Sequence, residues 1–569
     1  MFESFRHSNG LLPLMLGVTG HRDLRPEDLP ELRKQTTRVL GDIRKRWIKQ
    51  QGKTSGSLYL LSGMAAGADQ LAAECAMEMG IQVVAVLPMP LKQFEDDFSE
   101  PNERTHLRDL VSRSSAVVTM PDAGSGRETQ YEAAGTYISR NSSLLIALWD
   151  GVHVNRIGGT SHVVRMKLFG SDADVDGPLP SLEISTPGPV CHILTPRKSS
   201  TIKSNFEIRV LERADVENEI LSSTLEKDLS ISEAIKRQGQ YNADWLRLNP
   251  KLGPKAQSGA QNFLPTPPAT ADEEFLREHY GIADTLASYF QKKSVKFVRC
   301  YFTLLLAAGV VLEGGYYYYP MEGTVKEIDP FEVTYALLML ILMGLYWFSK
   351  KKDYHNRYHE YRSMAEALRV QLFWRLAGIK DSVADHYMAH QVGDLGWVCK
   401  ALSAIHLPLF PPQASDFAAL REHWVKDQLD FFKKSVKKNA KKSNFWNSAG
   451  FAALIVSLFW VVLRIPSHKL YAYYTPESMQ IPLAILYVFF AGTSVIAFVF
   501  FGYDHFRGFS ENAKRQLAMI PLCEMAMRVL SMPISEDSAR QVVLQLGREA
   551  LAENGYWLVM HHQQELDLS

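Results

Sequence analysis

Residues Leu14 to Arg22 read LMLGVTGHR, and residues Leu58 to Asp69 read LYLLSGMAAGAD. Each is a short apolar run that ends in a glycine-punctuated turn. The second passes at once into a helix-forming stretch, Ala68 to Met79. A continuous apolar run bounded by turn residues fits a strand buried on both faces. The pattern recurs at Val83 to Leu87, Ala116 to Met120, Leu144 to Leu148 and Val190 to Leu194, with a helical stretch at Pro30 to Lys49. Strands alternating with helices predict a parallel α/β sheet of the Rossmann-like kind, running from Leu11 to about Arg197.

In such a sheet ligands bind beyond the strand C-termini, so the residues there are the candidates. The first strand ends in Gly20-His21-Arg22. The second ends in Ser62-Gly63, with Gly67 and Asp69 opening the helix, and the fifth in Trp149-Asp150-Gly151, followed by Gly158-Gly159-Thr160. Glycines let backbone amides approach a ligand closely, and a helix N-terminus adds partial positive charge suited to phosphate. Arg22 can add a charge-assisted contact, and His21 is either a donor to the same group or a general base. None of these turns is a GxGxxG fingerprint or a Walker loop.

The rest of the chain has a different composition. Lys+Arg and Asp+Glu are both 62, so the balance does not favour a nucleic-acid partner. The five cysteines (Cys75, Cys191, Cys300, Cys399, Cys523) show no CxxC spacing and read as reduced thiols, not as a disulfide framework or a zinc site. The opening Met1 to Gly10 is short and polar, unlike a signal peptide.

Four apolar windows, Val298 to Tyr319, Phe331 to Phe348, Ala449 to Ile465 and Ile481 to Phe501, approach the roughly 20 residues that cross a bilayer. Tyr316 to Tyr319 suit an interfacial aromatic belt, and Glu313 and Arg464 lie near helix ends, within snorkelling reach of water. Ser457, Thr493 and Ser494 are compatible with helix packing. Lys292, Lys293 and Lys296 precede the first window, Lys350 to Lys352 follow the second, and six lysines between Lys433 and Lys442 precede the third. The connections Pro320 to Pro330 and Pro466 to Gln480 carry few basic residues. The positive-inside rule therefore predicts a multi-pass protein with both termini cytoplasmic.

The two hairpins read as an internal repeat. Each follows a basic amphipathic helix (Thr270 to Lys296; Asp416 to Lys442) and precedes another (Tyr354 to Leu376; Phe509 to Leu530). The first leading helix opens with a Thr270-x-x-Glu273 capping box and places Phe275, Tyr280, Ile282, Ala283, Leu286, Tyr289 and Phe290 largely on one side. Between the halves, Ser199 to Trp245 is polar and reads as helical. Leu248 to Ala271, with NPKLGP and PTPP, reads as an extended linker. Asp172, Asp174 and Asp176 sit in a solvated loop, Ser171 to Pro189, without the glycine and glutamate of an EF-hand, so no metal site is expected.

Taken together, GVTGHRDL, LSGMAAGADQLAAE, VVAVLPMPLKQFEDDF, GRETQYEAAGTYIS and LIALWDG followed by GGT resemble the SLOG superfamily. That Rossmann-like group includes the LOG nucleotide phosphoribohydrolases and DprA-type proteins, with similar domains in TRPM channels and bacterial anti-phage effectors. YRSMAEALR and GREALAENGYWLVMHH resemble SLATT-type effector modules, whose hairpins are proposed to form pores.

The resemblance implies an SLOG-like domain over residues 1–200, a connector over 201–271, and two SLATT-like modules over 272–415 and 416–569. It implies a phosphate-bearing nucleotide ligand, cyclic or derived from ADP-ribose, with no other cofactor. The ligand would be made by a partner synthase and held by Gly20, His21, Arg22, Ser62, Gly63, Gly67, Asp69, Arg127, Glu132, Asp150, Gly151, Gly158, Gly159 and Thr160. The implied function is a ligand-gated effector that opens a pore, or disrupts the bacterial inner membrane, in anti-phage defence. Since four spans per chain do not readily enclose a pore, a homo-oligomer such as a tetramer is expected. The alternative is a membrane-anchored nucleotide hydrolase using Glu132 and Arg127. The stretch Gly126 to Glu132, however, lacks the PGGxGTxxE loop of the LOG enzymes.

Overall fold

The structure is a computed structural model. It describes residues 10–52, 56–121, 126–154, 158–170, 187–198, 205–213, 220–226, 228–264, 266–318, 330–387, 392–407, 415–474 and 480–562, without the side chains of 314–318, 392–394, 463–474, 480–489, 491 and 560–562. The acidic loop with Asp172, Asp174 and Asp176 lies outside the described residues. So do residues 319–329 of the first hairpin connection, 475–479 of the second, and the side chains of Tyr316 to Tyr318 and Arg464.

The chain divides into two compact units, Met1–Leu286 with Glu360–Ser415 and Gly547–Val559, and Ala287–His359 with Asp416–Leu546 and Met560–Ser569. The first is built on an eight-stranded sheet: β1 (Leu14–Gly20), β2 (Leu58–Ser62), β3 (Gln82–Leu87), β4 (Ala116–Thr119), β5 (Leu144–Trp149), β6 (Val190–Leu194), β7 (Ile208–Arg213) and β8 (Ile220–Thr224). Their order is β4-β3-β2-β1-β5-β6-β7-β8. All pairings from β4 to β6 are parallel, whereas β6–β7 and β7–β8 are antiparallel. The intervening helices are α1 (Leu29–Gln51), α2 (Ala68–Glu78), α3 (Pro101–Arg113), α4 (Arg127–Asn141) and α5 (Thr160–Phe169). The chain steps outward from β1 to β4 and then returns to the other side of β1 as β5. The reversal opens a crevice between the C-terminal ends of β1 and β5.

The central strands read as unbroken apolar runs because helices cover both their faces, and Leu14, Leu16, Leu60, Ile146 and Leu148 are fully buried. Two details differ from the sequence expectation. Residues 208–213 and 220–224 form β7 and β8, not helix. Ile208 and Val210 point inward while Arg209 points out, a period of two that lets a hairpin extend the sheet beyond β6. Residues 248–263 are helical, not an extended linker: α6 (Ser230–Phe263) runs through Pro250 and Pro254. Tertiary packing overrides the local breakers. Leu248 and Ala256 are buried, and Phe263 stacks 4.2 Å from Tyr280 and 5.4 Å from Phe373. Asn242 of α6 also brackets the lead-in to β1, accepting from the Leu12 amide at 2.8 Å and donating to the Leu12 carbonyl at 2.8 Å.

The other helices are α7 (Ala271–Tyr318), α8 (Pro330–Lys352), α9 (Tyr354–Leu376), α10 (Val392–His406), α11 (Asp427–Tyr474), α12 (Gln480–Arg507), α13 (Phe509–Val529) and α14 (Glu536–His562). The helices flanking the two apolar hairpins are of similar length. α7 and α11 are each 48 residues, and the exit helices α9 and α13 have 23 and 21. Each apolar helix is divided from its exit helix by one residue with positive φ, Asp353 at 51° and Gly508 at 55°. At the start of α7, the Thr270 Oγ1 accepts from the Glu273 amide at 3.2 Å. The Glu273 carboxylate reaches the Ala269 amide at 2.8 Å, one residue earlier than a standard capping box. The expected apolar side of this helix is buried at Phe275, Tyr280, Ile282, Ala283, Leu286 and Phe290.

Three segments, Ala271–Glu313, Pro330–Leu376 and Phe417–Val462, are long and apolar enough to cross a membrane. The fourth window falls on α12, where side chains are described from Phe490 onward, Ala491 excepted. In the second unit a small aromatic core joins α7, α11, α12 and α13. Trp446 lies 4.9 Å from Tyr503, and Phe302 lies 5.6 Å from it. Asp504 accepts there from Ser443 at 3.1 Å and from Asn447 at 2.9 Å.

Candidate functional site

The crevice between β1 and β5 is a cleft of about 360 Å³ within the first unit. Its floor is fixed by backbone contacts that only glycine permits. A Cβ on Gly20 would lie 2.3 Å from the Ala68 Cβ and 2.7 Å from the Leu148 carbonyl. Gly67 has φ +83°, and a Cβ there would lie 2.5 Å from the Arg22 carbonyl. These approaches let the Ala68 amide donate to the His21 carbonyl at 3.0 Å and the His21 amide donate to Leu148 at 3.1 Å, tying α2, β1 and β5 together.

Of the residues expected at the site, Gly20, His21, Arg22, Gly63, Asp69, Asp150, Gly158, Gly159 and Thr160 line this one cleft. Five others do not. Ser62 is fully buried and turned into the β2–α2 turn, donating to the Asp69 carbonyl at 3.0 Å and accepting from the Met64 amide at 3.2 Å. Gly67 lies beneath the His21 and Arg22 carbonyls, and Gly151 lies against His192. Arg127 turns to the Gln93 carbonyl at 3.0 Å and to Asp97. Glu132 is half-buried, its carboxyl pushed up by burial, and lies off the cleft.

The residues of α4 that line the cleft are Glu128, Tyr131, Ala134, Gly135 and Ile138, spaced as one helical face; position 132 falls outside it, whereas Arg127, one turn before Tyr131, shares that face but is drawn to Gln93 and Asp97. Tyr131, Glu128, Asp23 and Arg197 are among the lining residues that sequence reasoning missed. Arg22 lies over the Tyr131 ring at 4.5 Å, a cation–π contact that holds the guanidinium at the mouth. Arg197, beyond β6, is brought to the cleft by a bridge to Leu24, and its Nε donates to both Asp23 oxygens at 3.1 and 3.2 Å.

His21 is buried, and burial lowers its pKa despite the neighbouring Asp150. Its Nε2 lies 3.0 Å from the Asp150 amide and 3.2 Å from Asp150 Oδ1. The imidazole thus joins the ends of β1 and β5 through Asp150. Asp150 Oδ1 accepts the Val152 amide at 3.0 Å and closes the next turn. His162 acts similarly at the opposite wall, accepting the Gly158 amide at 3.0 Å, and burial lowers its pKa as well.

The electrostatics are unusual for a phosphate site. No lysine lines the cleft among the described residues, and Arg22 and Arg197 stand against Asp23, Asp69, Glu128 and Asp150. Attraction for an anion therefore rests on backbone. α2, α4 and α5 all begin after a glycine N-cap (Gly67, Gly126, Gly159) and none has a side-chain cap. Of these, the start of α5 at Gly159, Thr160 and Ser161 lines the cleft and offers first-turn amides and a helix dipole to a phosphate. No group of metal-ligating side chains occurs among the described residues.

No protein-family profile and no curated protein matches the chain, so the SLOG-like and SLATT-like resemblances rest on the quoted motifs alone.

Proposed function

We propose that the cleft binds a phosphate-bearing nucleotide and that binding controls the membrane activity of the helical unit. The observation that carries this reading is the convergence of three strand-end turns and uncapped glycine-started helices on one crevice at the sheet's reversal point. The apolar helices support the second half. α7 passes without a break from the first unit at Leu286 to the second at Ala287, so a change at its start has a covalent route to the first apolar segment.

In this reading all four windows span the membrane, with both termini on the cytoplasmic side, and several copies assemble a pore. The SLOG and SLATT resemblance supports a role for such an effector in anti-phage defence, with its nucleotide supplied by a partner synthase. Ligand shifts the equilibrium only through its different affinity for the two states, so some contacts must form only in the active assembly. The hydrolase alternative has less support, because neither Glu132 nor Arg127 lines the cleft.

The test is thermal unfolding of the full chain in nanodiscs across cyclic and ADP-ribose-derived nucleotides. A ligand at 100 times its Kd adds about 2.7 kcal/mol of stability. One nucleotide should raise Tm in the wild type and much less in Arg22→Ala. A panel with no stabilising nucleotide contradicts the reading.

A further inference from the structure

The cleft holds one buried polar atom that the fold does not satisfy. Asp69, in the first turn of α2, is 9% exposed, lines the cleft, and its Oδ1 has no hydrogen-bond partner among the described residues. The carboxylate accepts from the Ala65 amide, which leaves Oδ1 as the unserved oxygen. Gly63 makes room for the group, since a Cβ there would lie 2.8 Å from Asp69 Oδ2. An unpaired buried acceptor is costly, and the carboxylate of a cleft-lining residue wants a donor. A phosphate offers only acceptors; a sugar hydroxyl offers the donor.

We propose that Asp69 is the specificity-determining residue of the cleft, and that its Oδ1 accepts the 2-hydroxyl of a phosphorylated ribose. This rests on the phosphate-binding reading above and assigns the sugar that accompanies the phosphate. The cleft's composition agrees. Asp23, Asp150 and Glu128 add further acceptors, while the phosphate is left to backbone at Gly159 and Thr160. Burial pushes the Asp69 carboxyl up to about 7, opposed by the charge of Arg22 and the Ala65 amide. A hydroxyl donor at Oδ1 favours the ionised form and so adds to that opposing side.

The experiment is calorimetric titration of the full chain in nanodiscs with ribose 5-phosphate, 2-deoxyribose 5-phosphate and inorganic pyrophosphate. It compares wild type with Asp69→Asn, Asp69→Ala and Arg22→Ala. The wild type should prefer ribose 5-phosphate over its deoxy counterpart by roughly tenfold. That ratio should fall to about one in Asp69→Ala, with pyrophosphate still bound by both Asp69 variants. Equal binding of the two sugars by the wild type overturns the assignment, and so does a preference that survives in Asp69→Ala. Loss of pyrophosphate binding in the near-isosteric Asp69→Asn also overturns it, by showing that Asp69 holds the turn and does not read the sugar. If pyrophosphate binds and weakens in Arg22→Ala while the sugar preference is absent, only the ribose assignment fails. If none of the three probes binds, the phosphate reading fails with it.

Discussion

The two units bury their apolar residues against different surroundings. In the sheet unit Leu14, Leu16, Val18 and Trp47 are fully buried by protein. In the helical unit Ile455, Leu458 and Phe459 of α11 are 65, 63 and 61% exposed, and Leu337, Leu340 and Met343 of α8 are 55, 58 and 55% exposed. Such continuous apolar exposure is not a stable surface in water, and the lysines at the ends of these helices mark where water begins. One unit carries its own core; the other exposes apolar faces on helices long enough to cross a membrane.

The largest effect that separates them is expected at Trp47, which is fully buried and donates to the Gly56 carbonyl at 2.9 Å. Trp47→Ala should destabilise the sheet unit by roughly 3–5 kcal/mol in denaturant unfolding, while Leu458→Ala should leave unfolding nearly unchanged. Comparable losses would dissolve the distinction. The next effect reverses the sites. Leu458→Arg should oppose membrane insertion by about 2.5–3.5 kcal/mol, read by protease protection in microsomes, without lowering the sheet unit's Tm.

Acid should act on the sheet unit through buried neutral histidines. His279 lies near the start of α7, well ahead of the apolar window that opens at Val298. Burial pulls it down to about 4, and its Nδ1 lies 2.9 Å from the Phe275 carbonyl. Between the unfolded value near 6.5 and the folded value the unfolded chain binds more protons, so stability present at pH 7 is lost as pH falls through that window. By pH 5 the loss from this one group is about 2 kcal/mol. His21, His162 and His192 are lowered too and act in the same direction. His279→Leu should flatten the pH dependence of unfolding between pH 7 and 5; an unchanged slope would show that His279 is not buried neutral. The smallest effect is at the cleft mouth, where Tyr131→Leu removes the ring under Arg22 and should weaken nucleotide binding about threefold, the 0.5–1 kcal/mol of an exposed cation–π contact.

Much of this was legible in the sequence because burial imposes a pattern. All six parallel strands are apolar runs whose predicted limits lie within about a residue of those observed. The site's glycines were legible because they end those runs. What was hidden depends on tertiary contacts. The strand ILSST at Ile220–Thr224 is too short and polar to announce itself, and it exists because β7 offers it an edge. The prolines of α6 suggest a break that Phe263 and Ala256 prevent by packing. Arg127 reads as a ligand contact because it is a cation at a helix start. Only the tertiary fold shows that Gln93 and Asp97 take up its guanidinium, so that Tyr131 lines the cleft and Arg127 does not.

The central claim is that occupancy of the cleft is felt in the bilayer. The direct test is ion and dye flux from liposomes carrying the full chain, with and without the nucleotide that stabilises it, in wild type and Arg22→Ala. Nucleotide-triggered flux in the wild type, with its dose response shifted to higher concentration in Arg22→Ala, is the predicted result. Flux that is the same with and without nucleotide, or no flux at saturating nucleotide, would contradict the account.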